Sequence, residues 1–432
     1  MSKEEVEAVA DAMKAQNLEE AAGGNYDRWN LRNETEVKYG LFGAKGEYNR
    51  SSEGGYYITT AINYTNGPAH MGHAFEAATA DALARYARVR GGRDGGVQFV
   101  TGTDEHGEKI AKTAAENDSK PIELCNKVRK EGVSVAPKSF LAWTASRMHW
   151  FCCAPTYPTN FNKPAHSPLS SRQYVTGFQC LNQRILISND DYIRTTSERH
   201  MHTAQALWKR CADAGDIYLD SYSGWYNVRE ETFVTDSDAQ LADYKDPVSG
   251  KPLKKVEEAS YFFKMSNFHD RLVQHIKDNP EFIRPEQHRN QILTRLADDR
   301  LRDLSISRTS FDWGIPVPEG FDEKHVMYVW FDALSNYLTG VDALGANEPD
   351  AGPNDLAKYW PADVHIIGKD ILWFHTVIWP TILMSAGLPL PKTVFAHGFV
   401  NDKEGKKMSK SLGNVVDPHD MLDKYPVDIF RW

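Results

Sequence analysis

The chain has 432 residues, of which 41% are hydrophobic and 25% charged, and its formal net charge at pH 7 is −9. At about 150 residues per domain, this length predicts about two to four structural units with the composition of a globular protein. Wholesale disorder, a collagen-like repeat and a small disulfide-stabilised fold are therefore excluded, and the acidic balance argues against a general nucleic-acid coat.

The predicted N-terminal extension, residues 1–54, begins with an acidic stretch that has no apolar run. It therefore resembles neither a secretory signal nor an Arg-rich transit peptide. The five cysteines include no C-x-x-C pair, which argues against a disulfide framework and a thiolate zinc site and indicates reduced thiols. We expect a cytoplasmic protein, with use in an organelle as the open alternative, and the sequence does not specify an oligomeric state.

Two segments, 55–132 and 301–400, each carry the pattern of a strand, a helix and a further strand. This pattern is typical of a βαβ unit, which has parallel strands and a right-handed crossover. We therefore predict an α/β fold with a doubly wound, Rossmann-like parallel sheet that is split by an inserted connective domain. The predicted elements are strands at Tyr56–Ala61, Val97–Thr101, Asp363–Ile367 and Thr393–Val400, and helices at Met71–Arg90 and Leu372–Ala386.

Two further segments lie between these halves. Residues 197–300 are mixed in pattern and contain turn signals, and they are predicted to be the inserted domain. Residues 133–189 contain five prolines, no Asp or Glu, and no helical or strand periodicity. A specialised binding loop and a poorly ordered insertion are both compatible with this composition, and the atypical insertion is the favoured interpretation.

The stretch Ile371–Leu390 has the hydrophobicity of a membrane-spanning helix, because it contains no Lys, Arg, Asp or Glu. Pro380 and Pro389 interrupt it, and His375 lies inside it. We therefore predict a buried core helix and no membrane association.

The tetrapeptide His70-Met71-Gly72-His73 lies between the first predicted strand and the start of its helix. Free backbone N–H groups and the positive end of the helix dipole make this position an anion site. The two imidazoles could donate hydrogen bonds to phosphate oxygens, and Gly72 would leave room for a purine against the backbone. Alone, H-x-G-H is a short pattern that also arises by chance.

A second motif, Lys407-Met408-Ser409-Lys410-Ser411, lies in the last predicted segment, 401–432. Two lysines with a hydroxyl between them could clamp a leaving pyrophosphate, whereas a lone K-x-x-K would be read as a solvated charge run. Both motifs follow predicted strands of one sheet, and together they are more specific than either alone. No Walker A or Gly-x-Gly-x-x-Gly motif is present, which argues against a P-loop or dinucleotide site.

H-x-G-H followed by K-M-S-K-S resembles the signature of class I aminoacyl-tRNA synthetases. The surrounding residues are similar to the methionyl-tRNA synthetase family in particular, over about Gly55–Val133 and Ile187–Trp432. The similar stretches are Ala61–Gly67, Gly102–Gly107, Tyr328–Ala333 and Gly368–His375.

The resemblance implies that methionine is activated with ATP, in the presence of Mg²⁺, to methionyl adenylate and is then transferred to the 3′ acceptor end of tRNA(Met). The implied catalytic residues are His70, His73, Lys407 and Lys410. The implied ATP-binding residues are His70, Gly72, His73, Lys407, Ser409, Lys410 and Arg308. The implied methionine-binding residues are Ala61, Ile62, Tyr64, Asp104, Trp330, Ala333, Tyr337, Ile371 and His375.

Some of these residues have a second interpretation. Arg308 is expected either to reach the phosphates or to form a surface salt bridge. Plain core packing would also account for Trp330 and Tyr337. Leu334 stands where the family often has proline, which affects the expected shape of the loop but not the pocket.

The sequence departs from the family in two places. Many relatives carry zinc-binding cysteine pairs in the inserted domain, and the corresponding run Gly224–Phe233 has none, so no structural zinc is predicted. Family members continue into a helical bundle that reads the anticodon, whereas this sequence stops at Trp432 and is interpreted as C-terminally truncated. An H-x-G-H-type nucleotidyltransferase and an inactive synthetase fragment are the alternative functions.

Overall fold

The structure is a computed structural model, and it describes residues 55–91, 96–116, 120–126, 174–227, 232–234, 236–246, 250–347, 355–406, 408, 414 and 416–432. The predicted N-terminal extension and residues 133–173 of the predicted insertion lie outside this part. The strands are β1 (Tyr56–Thr60), β2 (Asn63–Tyr64), β3 (Val97–Asp104), β4 (Asp191–Arg194), β5 (Ile217–Asn227), β6 (Thr232–Val234), β7 (Lys254–Phe263), β8 (Ile283–Arg284), β9 (Leu304–Ser305), β10 (Ser307–Arg308), β11 (Val326–Met327), β12 (Val364–Gly368) and β13 (Val394–His397). The helices are α1 (Met71–Gly91), α2 (Glu108–Glu116), α3 (Pro121–Asn126), α4 (Tyr174–Arg184), α5 (Glu198–Asp213), α6 (Asp236–Leu241), α7 (His269–Asp278), α8 (Glu286–Asp298), α9 (Val329–Leu334), α10 (Asn336–Thr339), α11 (Trp379–Ser385), α12 (Pro418–Lys424) and α13 (Val427–Arg431).

A parallel sheet of seven strands runs in the order β2-β3-β1-β12-β13-β8, and β4 also pairs with β3. All its pairings are parallel. β1 is buried along its whole length, and β3 is buried after its first residue. Continuous burial of this kind is typical of a parallel sheet that is covered on both faces. The predicted doubly wound α/β fold is thus confirmed.

The first predicted βαβ unit consists of β1, α1 and β3. β3 runs beyond the predicted end at Thr101 as far as Asp104. This extension brings the Asp104 carboxylate to the carboxyl edge of the sheet, where α/β folds commonly bind ligands.

The helix predicted at Leu372–Ala386 is present over residues 372–385, but its hydrogen-bond pattern is not uniformly α-helical. A 3₁₀ turn at Lys369–Ile371 and a π-helical turn at Phe374–Ile378 precede α11. Pro380 has no backbone N–H and cannot donate to the carbonyl one turn earlier, so the hydrogen-bond ladder changes at this point. The first six residues of α11 are buried, and the described residues include no helix that is long and apolar enough to cross a membrane.

A separate antiparallel sheet, in the order β6-β5-β7-β9, interrupts the parallel sheet along the chain. Its two long strands, β5 and β7, pair from Ile217 opposite Phe263 to Tyr226 opposite Lys254. An inserted domain is therefore present, whereas the limits 197–300 stay a prediction. β8 lies inside those limits and nevertheless pairs with β13 of the parallel sheet.

Part of the segment that was expected to be poorly ordered is helical. α4 places Val175, Phe178 and Leu181 at a spacing of three residues, and all three side chains are buried. Phe178 meets the His73 ring edge-on, with 4.9 Å between the ring centroids. An apolar stripe thus directs this helix onto α1 even though the surrounding sequence lacks acidic residues.

One buried carboxylate ties the last described helix to α1. The Asp81 side chain is fully buried and accepts hydrogen bonds from Arg85 at 2.6 Å and from Arg431 at 2.5 Å. The backbone N–H and the hydroxyl of Ser188 each donate to its other oxygen at 2.6 Å. Burial raises the pKa of Asp81, but these hydrogen bonds outweigh that effect and the pKa is lowered.

We expect Asp81→Ala to lower the free energy of unfolding by about 3 kcal/mol, because it leaves a partly buried guanidinium without its partner. The lowered pKa means that this contribution is complete above the ordinary carboxyl pKa of about 3.9 and is lost as the pH falls through the folded-state value. Urea unfolding at several pH values measures the difference. Asp423→Ala, which removes an exposed carboxylate paired with Arg184, is the control and should cost less than about 1 kcal/mol. Equal losses in the two variants would contradict the prediction.

Candidate active site

A cavity of about 220 Å³, the small cavity, opens at the carboxyl edge of the parallel sheet. The loops after β1, β3 and β12 contribute to its wall together with α9 and α10. All nine residues that the resemblance implied for methionine line it, together with four that it did not. The nine are Ala61, Ile62, Tyr64, Asp104, Trp330, Ala333, Tyr337, Ile371 and His375, and the four are Lys109, Val329, Leu334 and Asn336.

Hydrogen bonds fix the polar atoms of Tyr337 and His375 in the wall of the small cavity. His375 Nδ1 lies 2.9 Å from the Ile371 carbonyl oxygen, which can only accept, so Nδ1 carries the hydrogen. His375 Nε2 therefore accepts from the Tyr337 hydroxyl at 2.6 Å. Burial lowers the pKa of His375 to about 4, so the ring is neutral at pH 7. This wall thus carries no charge.

Aromatic rings form another part of the wall. Trp330 is half-buried and stacks on Phe374, with 3.6 Å between ring centroids and an interplanar angle of 13°. Tyr337 is 1% exposed and also stacks on His365 at 4.1 Å. Tyr337 is therefore both a core residue and part of the wall of the small cavity.

Asp104 supplies a carboxylate to the small cavity from the end of β3. The residue is buried, with 7% of its surface exposed. The backbone N–H of His106 donates to Asp104 Oδ1 at 3.3 Å, and Thr65 donates through its N–H and its hydroxyl to the Asp104 carbonyl oxygen, each at 3.0 Å. A carboxylate held in this way is suited to bind a cationic group inside the cavity.

A second cavity of about 460 Å³, the large cavity, shares the lining residue Tyr64 with the first. It includes the H-x-G-H residues His70, Gly72 and His73, and also Met408 of the second motif. Lys407, Ser409 and Lys410 lie outside the described residues. The remaining lining residues are Asn66, Gly67, Pro68, Met71, Glu76, Gly368, Asp370, His397, Gly398, Phe399 and Val400.

The imidazoles of His70 and His73 stack at the start of α1, with 3.7 Å between their centroids. His70 Nδ1 accepts from the backbone N–H of Gly72, and His73 Nδ1 accepts from the backbone N–H of His70, both at 3.1 Å. Because each Nδ1 is an acceptor, the Nε2 of each neutral ring carries the hydrogen. The local backbone thus selects the tautomer in which both Nε2 atoms are donors.

Gly72 has a steric role beside these rings. A Cβ atom at this position would lie 3.0 Å from both Cε1 and Nδ1 of His70, which is closer than ordinary van der Waals contact. The glycine therefore allows the His70 ring to fold back over its own helix N-terminus.

Glu76 and His397 form a pair in the wall of the large cavity that sequence reasoning missed. His397 Nδ1 donates to the Gly398 carbonyl oxygen at 2.8 Å, and Nε2 lies 3.1 Å from Glu76 Oε2. Burial lowers the pKa of His397, but the hydrogen bond to Glu76 outweighs it and the pKa is raised. Burial likewise raises the pKa of Glu76. The pair therefore keeps one proton at pH values above the ordinary pKa of histidine. The sequence did contain one signal that Glu76 lies near the H-x-G-H residues. Glu76 follows His73 by three residues, which places both on the same face of the helix.

Arg308 lines neither the small nor the large cavity, and its expected contact with the phosphates stays a prediction. Its side chain is 2% exposed, so a surface salt bridge is wrong. The guanidinium donates to Ser305 Oγ and to the Ser307 carbonyl oxygen, each at 2.7 Å, and it lies 4.5 Å from the Tyr328 ring centroid. β10 pairs with β11, and this pairing turns the residue into the protein interior. Within the described part of the chain, no group of three or more His, Cys, Asp or Glu side chains has the arrangement of a metal site.

Comparison with known proteins identifies one family. The family model of tRNA synthetases class I (M) matches residues 56–141, 167–242 and 237–432. Between the matched segments, residues 142–166 are unmatched, and they fall inside the segment that lacks acidic residues.

The chain is 44% identical to the methionine–tRNA ligase of Rhizobium meliloti (strain 1021) over 379 residues, which cover 87% of this chain and 62% of that protein. It is 42% identical to the methionine–tRNA ligase of Halalkalibacterium halodurans over 386 residues, which cover 87% of this chain and 50% of that protein. The crystal structure of Mycobacterium tuberculosis methionyl-tRNA synthetase bound by methionyl-adenylate is similar with a TM-score of 0.69 and 41% identity, covering 87% of this chain and 63% of that one. The chain thus spans about half to three fifths of the length of the curated relatives it matches.

Glu76→Gln should lower the pKa of His397, because an amide lacks the negative charge that favours the protonated ring. A titration of the His397 Cε1–H signal by NMR measures the change. Glu404→Gln neutralises an exposed carboxylate that does not line the large cavity, and it should leave the titration unaltered. A His397 titration that is the same in Glu76→Gln as in the parent chain would rule out the pairing.

Proposed function

Because the chain belongs to the class I tRNA synthetase family of the methionine type, we propose that it activates methionine with ATP and transfers the methionyl group to the 3′ end of tRNA(Met). The observation that carries the proposal is that Tyr64 lines both cavities. An amino acid in the small cavity and ATP in the large cavity would be neighbours, which is the arrangement needed for a carboxylate to attack the α-phosphate.

In this proposal the small cavity binds methionine. The Asp104 carboxylate pairs with the α-ammonium group by a charge-assisted hydrogen bond. The Trp330 ring and the uncharged Tyr337–His375 wall surround the thioether, and sulfur–aromatic contacts contribute about 0.3–1.5 kcal/mol each. A volume of about 220 Å³ suits a single amino acid rather than a larger metabolite.

The large cavity binds ATP as its magnesium complex. The Nε2 donors of His70 and His73 face the charge that develops on the α-phosphate, and Lys407 and Lys410 neutralise the departing pyrophosphate. Ser409 and the backbone beside Gly72 complete the set of ATP contacts. No side chain acts as a nucleophile, so catalysis consists of positioning and electrostatic stabilisation.

Three further parts of the proposal extend beyond the two cavities. The acceptor end of tRNA(Met) receives the methionyl group from the adenylate. The inserted domain functions without structural zinc, since the run Gly224–Phe233 contains no cysteine. The cytoplasm is the expected place of action.

Methionine-dependent exchange of pyrophosphate into ATP on this chain tests the function directly. Exchange that responds to methionine, with leucine and norleucine as comparison compounds, is the expected result. Exchange that ignores methionine and responds to a small phosphorylated metabolite would instead support the nucleotidyltransferase alternative. No exchange with any compound would support the inactive-fragment alternative.

Lys410→Ala should slow the exchange by about 10²–10³-fold, the usual loss when one transition-state donor is removed. The affinity for methionine, measured by calorimetry, should stay the same because Lys410 is assigned to the phosphates. Lys424→Ala removes an exposed lysine on α12 and is the control, with an exchange rate equal to that of the parent chain. An unimpaired Lys410→Ala protein would refute the assigned role.

Asp104→Ala should have the opposite effect and weaken methionine binding by about tenfold or more, since one hydrogen bond to a charged group is lost. ATP binding should persist, because Asp104 does not line the large cavity. Calorimetry with each ligand separates the two effects. Glu286→Ala, at an exposed position of α8, serves as the control. Retention of methionine affinity in Asp104→Ala would contradict the assignment.

A further inference from the structure

A fully buried carboxylate lies behind the small cavity. Asp332, on α9, has no exposed side-chain surface. Its Oδ2 lies 2.6 Å from His106 Nδ1, and its Oδ1 lies 2.7 Å from His200 Nε2. A carboxylate only accepts, so each histidine donates from the named nitrogen.

The three residues come from three separate parts of the fold. His106 belongs to the loop after β3, two positions beyond Asp104. Asp332 lies on α9 between Trp330 and Ala333, both of which line the small cavity. His200 lies on α5, where its Nδ1 is 3.0 Å from the Thr339 hydroxyl of α10.

The loop that carries Asp104 is held from two sides. On one side the Glu105 carboxylate, fully buried, accepts from Arg194 Nε at 2.7 Å and from Arg194 Nη2 at 2.6 Å. On the other side the His106 ring is anchored on Asp332. The backbone N–H of His106 donates to the Asp104 carboxylate, so the position of His106 determines where that carboxylate points.

Removing one partner from this network is expected to cost free energy, because the Asp332 carboxylate is buried. Burial raises the pKa of Asp332, but the charges and hydrogen bonds of His106 and His200 outweigh it and the pKa is lowered. A buried carboxylate that loses one of its two donors keeps its desolvation penalty. Loss of either donor would therefore destabilise the buried carboxylate.

We propose that His106, Asp332 and His200 are positioning residues that set the affinity for methionine by holding the Asp104 loop at a fixed distance from α9. The inference rests on the proposed function, because it assigns methionine to the small cavity. The His106–Asp332 contact joins the part of the cavity that binds the ammonium group to the part that surrounds the side chain. The contact affects the affinity for methionine and not the affinity for ATP, since none of the three residues lines the large cavity.

Kinetic analysis of the exchange reaction with four variants tests this inference. His106→Leu removes the donor while keeping an apolar side chain of similar length. His106→Asn puts an amide nitrogen close to the position of Nδ1, whereas His106→Gln puts it one bond further away. Thr203→Val, the control, removes a different, partly buried hydrogen bond of α5, which Thr203 Oγ1 donates to Asn347 Oδ1 at 2.7 Å.

The KM for methionine should rise by about tenfold or more in His106→Leu, the loss that corresponds to one hydrogen bond to a charged group. The KM for ATP should change by less than about twofold, and kcat at saturating methionine should be largely retained, as expected when uniform binding is lost. His106→Asn should recover most of the affinity and His106→Gln should not. Thr203→Val should lower the unfolding midpoint without changing either KM.

Three results would overturn the inference. The first is a methionine KM in His106→Leu that equals that of the parent chain or rises together with the KM for ATP. The second is a methionine KM in Thr203→Val that rises as much as in His106→Leu. The third, which decides the matter even if His106→Leu does not fold, is equal methionine affinity of His106→Asn and His106→Gln. A parent chain without methionine-dependent exchange would overturn the proposed function together with this inference, whereas the other results leave the proposed function standing.

Discussion

The parallel pairing of β3, β1, β12 and β13 is the constraint on which the candidate site depends. Parallel strands end at the same edge, so the residues that follow each strand are brought together regardless of their separation in sequence. Asp104 ends one strand, Ile371 follows another, and His397 ends a third. An antiparallel arrangement would send alternate strand ends to opposite edges, and neither cavity would have its present lining.

Three buried or partly buried carboxylates in this region are each paired with a side-chain donor. Glu105 is paired with Arg194, Asp332 with two histidines, and Glu76 with His397. These pairs need not add much stability, because desolvation cancels most of the Coulomb attraction. Their effect is geometric, since each pair has hydrogen-bond directions that fix one loop or helix relative to the sheet. The pairs thereby hold the cavity walls, and the Asp104 carboxylate is directed into the small cavity.

Much of the fold and of the small cavity could be predicted because the signals are local or joined to a motif. The strand at Tyr56–Thr60 and the helix that follows it were evident from hydrophobic pattern and turn residues. All nine residues implied for the amino acid line one cavity. The burial of Arg308 could not be predicted, because its environment depends on the pairing of β10 with β11, which no local pattern indicates. The π-helical turn before α11 was missed for a related reason, as Pro380 signals an interruption but not its geometry.

The sequence by itself determined which chemistry is present: two imidazoles at a helix start, a carboxylate at the end of a strand, and the order of the motifs along the chain. These are properties of residue type and spacing, which secondary structure preserves. Only the tertiary structure decided which nitrogen of each histidine donates, which carboxylates are paired, and that Tyr64 stands between the two cavities. Such features depend on contacts between residues up to hundreds of positions apart, as between Glu76 and His397, and contacts of that range are created by packing.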